Sequence, residues 1–329
     1  MSAAAGAVRE TRDSIATVFR NPGLRRINLA LAGSMIGDWA YATAVTVWAF
    51  GVGGVTAVGV WAVVRLGLMA AVTPFASGLA DRFPRKRVMV ASDVTRCVLV
   101  ALAAAAVFWG LAPAVVFVLA TLASLASSAF RPAQAALLPT LADTPAELTA
   151  ANGTSSTLES LAFFVGPALG GLLLTVADIP LVFAVNALSF AWSALLVSSI
   201  QVRAAAAQES EDYESSPGRP GDDSSQDETP ASFWSESVAG FRTIWNHPDL
   251  RMVTGIYCAQ TVVAGASIVF GVAVAVDVAG LGPKGVGYLD AVLGVGAVIG
   301  GLVAIGRASK FRLATDFGFG VIFWAIPLL

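Results

Sequence analysis

The stretch SGLADRFPRKRVMVASDVTR, residues 77–96, sets Arg82, Arg85, Lys86 and Arg87 between two apolar runs, each long enough to cross a bilayer. A loop so short and basic stays on the cytoplasmic side during insertion, which fixes the orientation of its neighbours. Working outward, apolar runs near 27–50, 55–80, 88–110, 113–138, 152–176 and 180–201 predict six transmembrane helices. Runs near 252–276 and 285–306 follow, and FGFGVIFWAIPLL starts a ninth that stops at Leu329.

The whole composition agrees. Of 329 residues 56% are hydrophobic and 13% charged, at a mean hydropathy of +0.74, whereas soluble domains carry about 25% charged residues. The expectation is an all-α polytopic protein of the cell membrane, with the bilayer as its main partner. Arg9, Arg12, Arg20, Arg25 and Arg26 precede the first run, while GVGG, GLAP and ADIP between later runs hold no Lys or Arg. The N-terminus is therefore expected to be cytoplasmic.

Four regions are predicted: a cytoplasmic segment 1–26, a six-helix lobe 27–202, a cytoplasmic linker 203–250 and an incomplete second lobe 251–329. Residues 203–232 are rich in Glu, Asp, Ser, Pro and Gly, a composition that cannot offset chain entropy by burial. Phe233, Trp234, Val238, Phe241 and Trp245 recur at helical spacing and suit a helix on the membrane surface. An internal repeat sets VFRNPGLRRINL (18–29) against IWNHPDLRMVTG (244–255), Pro22 over Pro248, Leu24 over Leu250 and Arg25 over Arg251. Two copies of one unit in the same orientation predict a two-lobed transporter with its site between the lobes.

Several functions are disfavoured by what the chain holds. The net charge of −2 supports no nucleic-acid partner. Cys97 and Cys258 give neither a disulfide framework nor a thiolate metal site. His247 is the one histidine and no GxxxxGK[ST] occurs, so catalysis, a metal, a cofactor and direct ATP drive are not expected. The expected protein is a monomer that is not an enzyme and draws on an ion gradient.

On LADRFPRKR (79–87) and on AFFVGPALGG (162–171) the chain resembles the major facilitator superfamily over its whole length. That resemblance implies a two-lobe helical bundle of twelve helices, of which six in the first lobe and about three in the second fall within this chain. It also implies that Asp81, with Arg82, Arg85 and Lys86, forms a conformational latch. Asp93 and Arg96, one turn apart, extend its charges. Ser77 and Pro84 stand where the family pattern has glycines. Gly166, Pro167, Gly170 and Gly171 match the helix-five motif of antiporting members, with Ala162 in place of its first glycine, and suit a lobe interface. GDWAY (37–41) and FRPAQAALLPTL (130–141) are similar to the exporter branch that handles drugs and siderophores.

Charges inside apolar runs cost several kcal/mol unless paired or facing water. Asp38, Arg65 and Glu159 are therefore candidates for proton coupling or a substrate cavity, and Asp290 joins them through the repeat. Asp38 and Arg65 lie at similar depth and can pair across adjacent helices. Arg131 is expected at a helix end as a gating or topogenic residue, and the aromatic rings of GDWAY, Trp48 and Trp61 suit an amphipathic substrate. The expected function is secondary transport, a proton-coupled efflux of small amphipathic compounds. A non-transporting membrane sensor or assembly protein and an importer are the alternatives.

Overall fold

The computed structural model describes residues 16–201, 243–281, 285, 288, 289 and 292, with the backbone alone over 74–82 and at 268, 269, 272 and 277. Most of the linker, the segment 233–242, Asp290 and the ninth apolar run lie outside the described residues. Among the described residues the chain is all-helical: α1 (Pro22–Arg82), α2 (Arg85–Phe108), α3 (Pro113–Ser127), α4 (Phe130–Leu141), α5 (Pro145–Val176), α6 (Ile179–Ser198) and α7 (Pro248–Ala273). A π-helical turn, Val274–Val278, closes α7.

Among these, Pro22–Thr73, Arg85–Phe108, Pro113–Leu141, Pro145–Val176 and Ile179–Ser198 are long and apolar enough to cross a membrane. The first, of 52 residues, is divided at Gly53 and Gly54 into two helical stretches. Five helices of membrane-spanning length therefore precede the linker among the described residues, the first of them divided at its glycines. Their outer surface carries Val63, Leu172, Leu188 and Leu195, all exposed, a face that water disfavours and lipid accepts.

Glycine and proline place the breaks. Gly54, at φ 62° and ψ −156°, occupies a backbone region that is essentially glycine-only. Gly110, at φ 64°, ends α2 in a Schellman motif, with Gly110 N–H donating to Val107 O at 3.1 Å and Leu111 N–H to Ala106 O at 2.9 Å. The basic loop is tighter than its sequence suggests: the helix runs on through Arg82, and Phe83 and Pro84 alone separate it from α2. The repeated prolines behave alike, since α1 starts at Pro22 and α7 at Pro248. Arg25 N–H donates to Asn21 O at 2.9 Å and Arg251 N–H to His247 O at 3.0 Å, bonds at the same place in each copy.

The fourth apolar run is not one helix. It breaks at Ser128 and Ala129 between α3 and α4, because Pro132 has no N–H to give to the carbonyl four residues back. Ser92 on α2 donates to Ala126 O at 2.7 Å, which keeps a carbonyl beside the break satisfied.

Within residues 16–201, α1 packs along α5 and α6, and α2 along α6 and α3. Two apolar cores result. One gathers Leu24, Ile27, Leu31, Met89, Phe130, Leu137, Ala151 and Val197; the other gathers Tyr41, Val45, Val100, Val116, Phe183 and Phe190. Along α1, α2 and α6 the seam between them falls near residues 35–41, 90–100 and 190–197. Asp38 of α1 and Asp93 and Arg96 of α2 lie in that seam.

At the end where α1 and α2 begin, two of the basic residues cap α6. Arg26 Nη1 donates to Ser199 O at 2.6 Å and Lys86 Nζ to Ile200 O at 2.7 Å, so cations meet the negative end of the helix dipole. Asn21 ties the same end together by donating from Nδ2 to Leu141 O at 2.9 Å and accepting at Oδ1 from Gly23 and Leu24 N–H.

Candidate functional site

In the seam Asp38 of α1 meets Arg96 of α2. Arg96 Nη1 donates to Asp38 Oδ2 at 3.0 Å, and its other arm, Nη2, donates to Asp93 Oδ1 in a closer contact. Asp93 is held from behind by Ser193 of α6, whose Oγ donates to Asp93 Oδ2 at 2.6 Å. The Arg96 guanidinium also lies over Phe190 at 4.2 Å and Phe130 at 5.1 Å from the ring centroids, a placement that ring quadrupoles favour. Residues of four helices, α1, α2, α4 and α6, thus gather around one buried cation.

Exposure separates the three charges. The side chains of Asp93 and Arg96 are 0% and 4% exposed, while that of Asp38 is 41% exposed. Asp38 opens onto a cavity of about 380 Å³ lined also by Trp39, Tyr41, Trp61, Arg65, Phe130 and Arg131. Arg131 forms an ion pair with Glu159 of α5 and donates to Gln134 Oε1 at 3.4 Å.

The turn of α1 that bears Asp38 is clamped by residues without side chains. A Cβ on Gly170 would stand 2.6 Å from Ala40 O and 2.8 Å from Ala40 Cα, and one on Gly166 would overlap Trp39 Cβ. On the other flank a Cβ on Gly37 would collide with Ser189 and Asn186 of α6. Ala162, Gly166 and Gly170 therefore form a buried stripe along α5 that brings its backbone against α1.

Several expectations change. Asp38 pairs with Arg96 and not with Arg65, whose guanidinium lies 5.0 Å from the Trp61 ring centroid. Asp93 and Arg96 do not extend a charge cluster at the helix end: they sit two to three turns into α2, where that helix meets α1 and α6. Gly166 and Gly170 face α1 of the same bundle, which accounts for their size without a lobe interface. Arg131 lies at the break inside the fourth apolar run, away from its end. Of the proposed latch, Lys86 caps α6, Arg85 is exposed, and the Asp81 and Arg82 side chains fall outside the described ones. Trp39, Tyr41 and Trp61 do line the cavity, but Trp48 packs edge-on to Phe117 at 4.9 Å.

The sequence signal for the pairing is weak. Asp93 and Arg96 stand three apart on one helix, which fits a local pair as well as a partner on α1. Ser193 carries no signal of its own in an apolar run.

The family model of the Major Facilitator Superfamily matches residues 27–329. The chain is also similar to an uncharacterized MFS-type transporter, YfiS of Bacillus subtilis (strain 168), at 34% identity over 125 residues. That match spans 38% of this chain and 28% of the relative's length.

Proposed function

The chain belongs to the major facilitator superfamily, and from that premise we propose that it is a secondary active transporter of small amphipathic compounds, coupled to protons through Asp38. One observation carries this reading. Arg96 has two carboxylates, one sealed against Ser193 and one open to the cavity. When a proton neutralises Asp38, Arg96 keeps Asp93 as its counter-charge, so no buried charge is stranded. Asp38 is the member of the trio that can exchange a proton with the cavity at small cost to the fold.

The lining suits the cargo class. Trp39, Tyr41, Trp61, Phe130 and Phe190 supply apolar faces beside charged groups, the mixture expected of a site for compounds with flat apolar bodies. Arg131 and Glu159 bridge α4 and α5 beside the break in the fourth apolar run, where a gate between them would open by parting the pair.

The test is proton flux in proteoliposomes that carry an imposed pH gradient and a panel of amphipathic compounds. Wild-type protein is expected to give compound-dependent flux, and Asp38→Asn to abolish it while remaining inserted and folded. Flux unchanged in Asp38→Asn removes Asp38 from coupling, and a wild-type protein with no flux favours a membrane sensor or assembly role. Cargo leaving as protons enter makes the protein an exporter, the direction that the GPALGG resemblance implies; parallel movement makes it an importer.

A further inference from the structure

We propose that the cavity holds a subsite for an anionic group, a carboxylate on a flat aromatic body, with Arg65 as its anchor and Tyr41 and Trp61 as further donors. This rests on the transporter reading above and names the chemistry of the cargo. The cavity's charges are unequally committed. Arg96 is held by Asp38 and Asp93, and Arg131 by Glu159. Arg65 has no carboxylate oxygen within 4.0 Å among the described residues. Among the described residues it is the cation of this cavity without an ion-paired carboxylate.

Unsatisfied donors cluster around it. Among the described residues Tyr41 Oη, Trp61 Nε1 and Arg65 Nε, as well as Arg96 Nε, are buried atoms with no hydrogen-bond partner, and all four residues line this cavity. Buried polar atoms are seldom left unpaired. Indole N–H and guanidinium N–H only donate, and a phenol O–H donates readily, so the group that satisfies them together must accept. A carboxylate offers two oxygens at contact distance, where Asp38 acts on Arg65 only from beyond 4.0 Å, in the planar geometry that a guanidinium matches.

The surroundings select the rest of the ligand. The Trp61 ring lies 5.0 Å from the Arg65 guanidinium carbon and holds its plane. Trp39, Phe130 and Phe190 face the same space, which at about 380 Å³ accepts a one- or two-ring acid. An alkylammonium cargo would find no free carboxylate here, because Asp38 is engaged by Arg96.

Equilibrium binding of radiolabelled 1-naphthoate and of its neutral analogue 1-naphthamide to the full chain in phosphatidylcholine nanodiscs tests this. The acid is expected to bind at least about tenfold more tightly than the amide, as hydrogen bonds to a charged group imply. Arg65→Gln should erase that preference while keeping amide binding, which also shows an intact cavity; Arg65→Lys should keep part of it. Equal binding of acid and amide, no acid binding, or a preference that survives Arg65→Gln overturns the proposal. In phosphatidylglycerol nanodiscs acid binding should persist; its loss there would give the subsite to a lipid headgroup and overturn the cargo assignment. Equal binding alongside Asp38-dependent proton flux removes the anion subsite and keeps the transporter, whereas an Arg65-dependent preference without flux does the reverse.

Discussion

Arg96 ties several helices of this bundle together. It joins Asp38 on α1 to Asp93 on its own helix and lies over Phe130 and Phe190. Removing one partner of a buried ion pair costs about 3–5 kcal/mol, because the other is left uncompensated. Arg96→Met is therefore expected to lower the unfolding temperature in detergent markedly, and adding Asp93→Asn to recover most of the loss, since no buried carboxylate then remains. If the double variant is no more stable than the single, the guanidinium's contacts with the rings dominate. At this scale the sequence shows which positions are costly but not their partners. Asp38, Arg65 and Glu159 stand out because a charge in an apolar run is expensive wherever it points. That Asp38 meets Arg96 depends on the rotation of α1 and α2 about their axes, which the packing of α6 decides.

The stripe Ala162, Gly166 and Gly170 sets the approach of α5 to α1, two residues from Asp38 at Ala40. Gly170→Ala forces a shift of backbone and is expected to cost about 1–3 kcal/mol as overpacking, with proton-coupled flux falling as the Asp38 turn moves. Gly153 on the same helix makes the control. Nothing lies within 4 Å of a Cβ built there, so Gly153→Ala should stabilise by about 0.5–1 kcal/mol through helix propensity alone. Thermal unfolding of the two variants should move in opposite directions; a parallel shift would mean that the stripe is not a close contact. Element positions were largely legible, because Gly53, Gly54, Gly110 and the prolines at helix starts act through local backbone geometry. The break at Ser128 and Ala129 was not, since apolar content runs straight through it. Hydropathy does not register the hydrogen bond that Pro132 omits.

For the whole molecule, the basic residues near α1 and α2 imply a cytoplasmic N-terminus and linker. In a chain with Cys97→Ser and Cys258→Ala, a cysteine at Ser215 is expected to react with a membrane-impermeant maleimide in inverted vesicles, and one at Ala112 in intact spheroplasts. The reverse pattern would invert the topology. Arg26 and Lys86 also bind carbonyls just past the end of α6, so two of the charges on which this topology prediction rests are fixed into the finished fold.

The link between Asp38 and Arg96 spans 58 residues, and synthesis is sequential. Asp93 and Arg96 enter the bilayer three residues apart as a self-neutralised pair, but the first span must leave the translocon with Asp38 still waiting for its cation. A lone aspartate near a helix centre costs roughly 2.5–3.5 kcal/mol on insertion scales. Nascent chains that stop before α2 should therefore hold the first span poorly and gain from Asp38→Leu, while chains long enough to include Arg96 should not. The residue proposed to carry protons in the mature protein is also the one that makes its assembly depend on a helix not yet made.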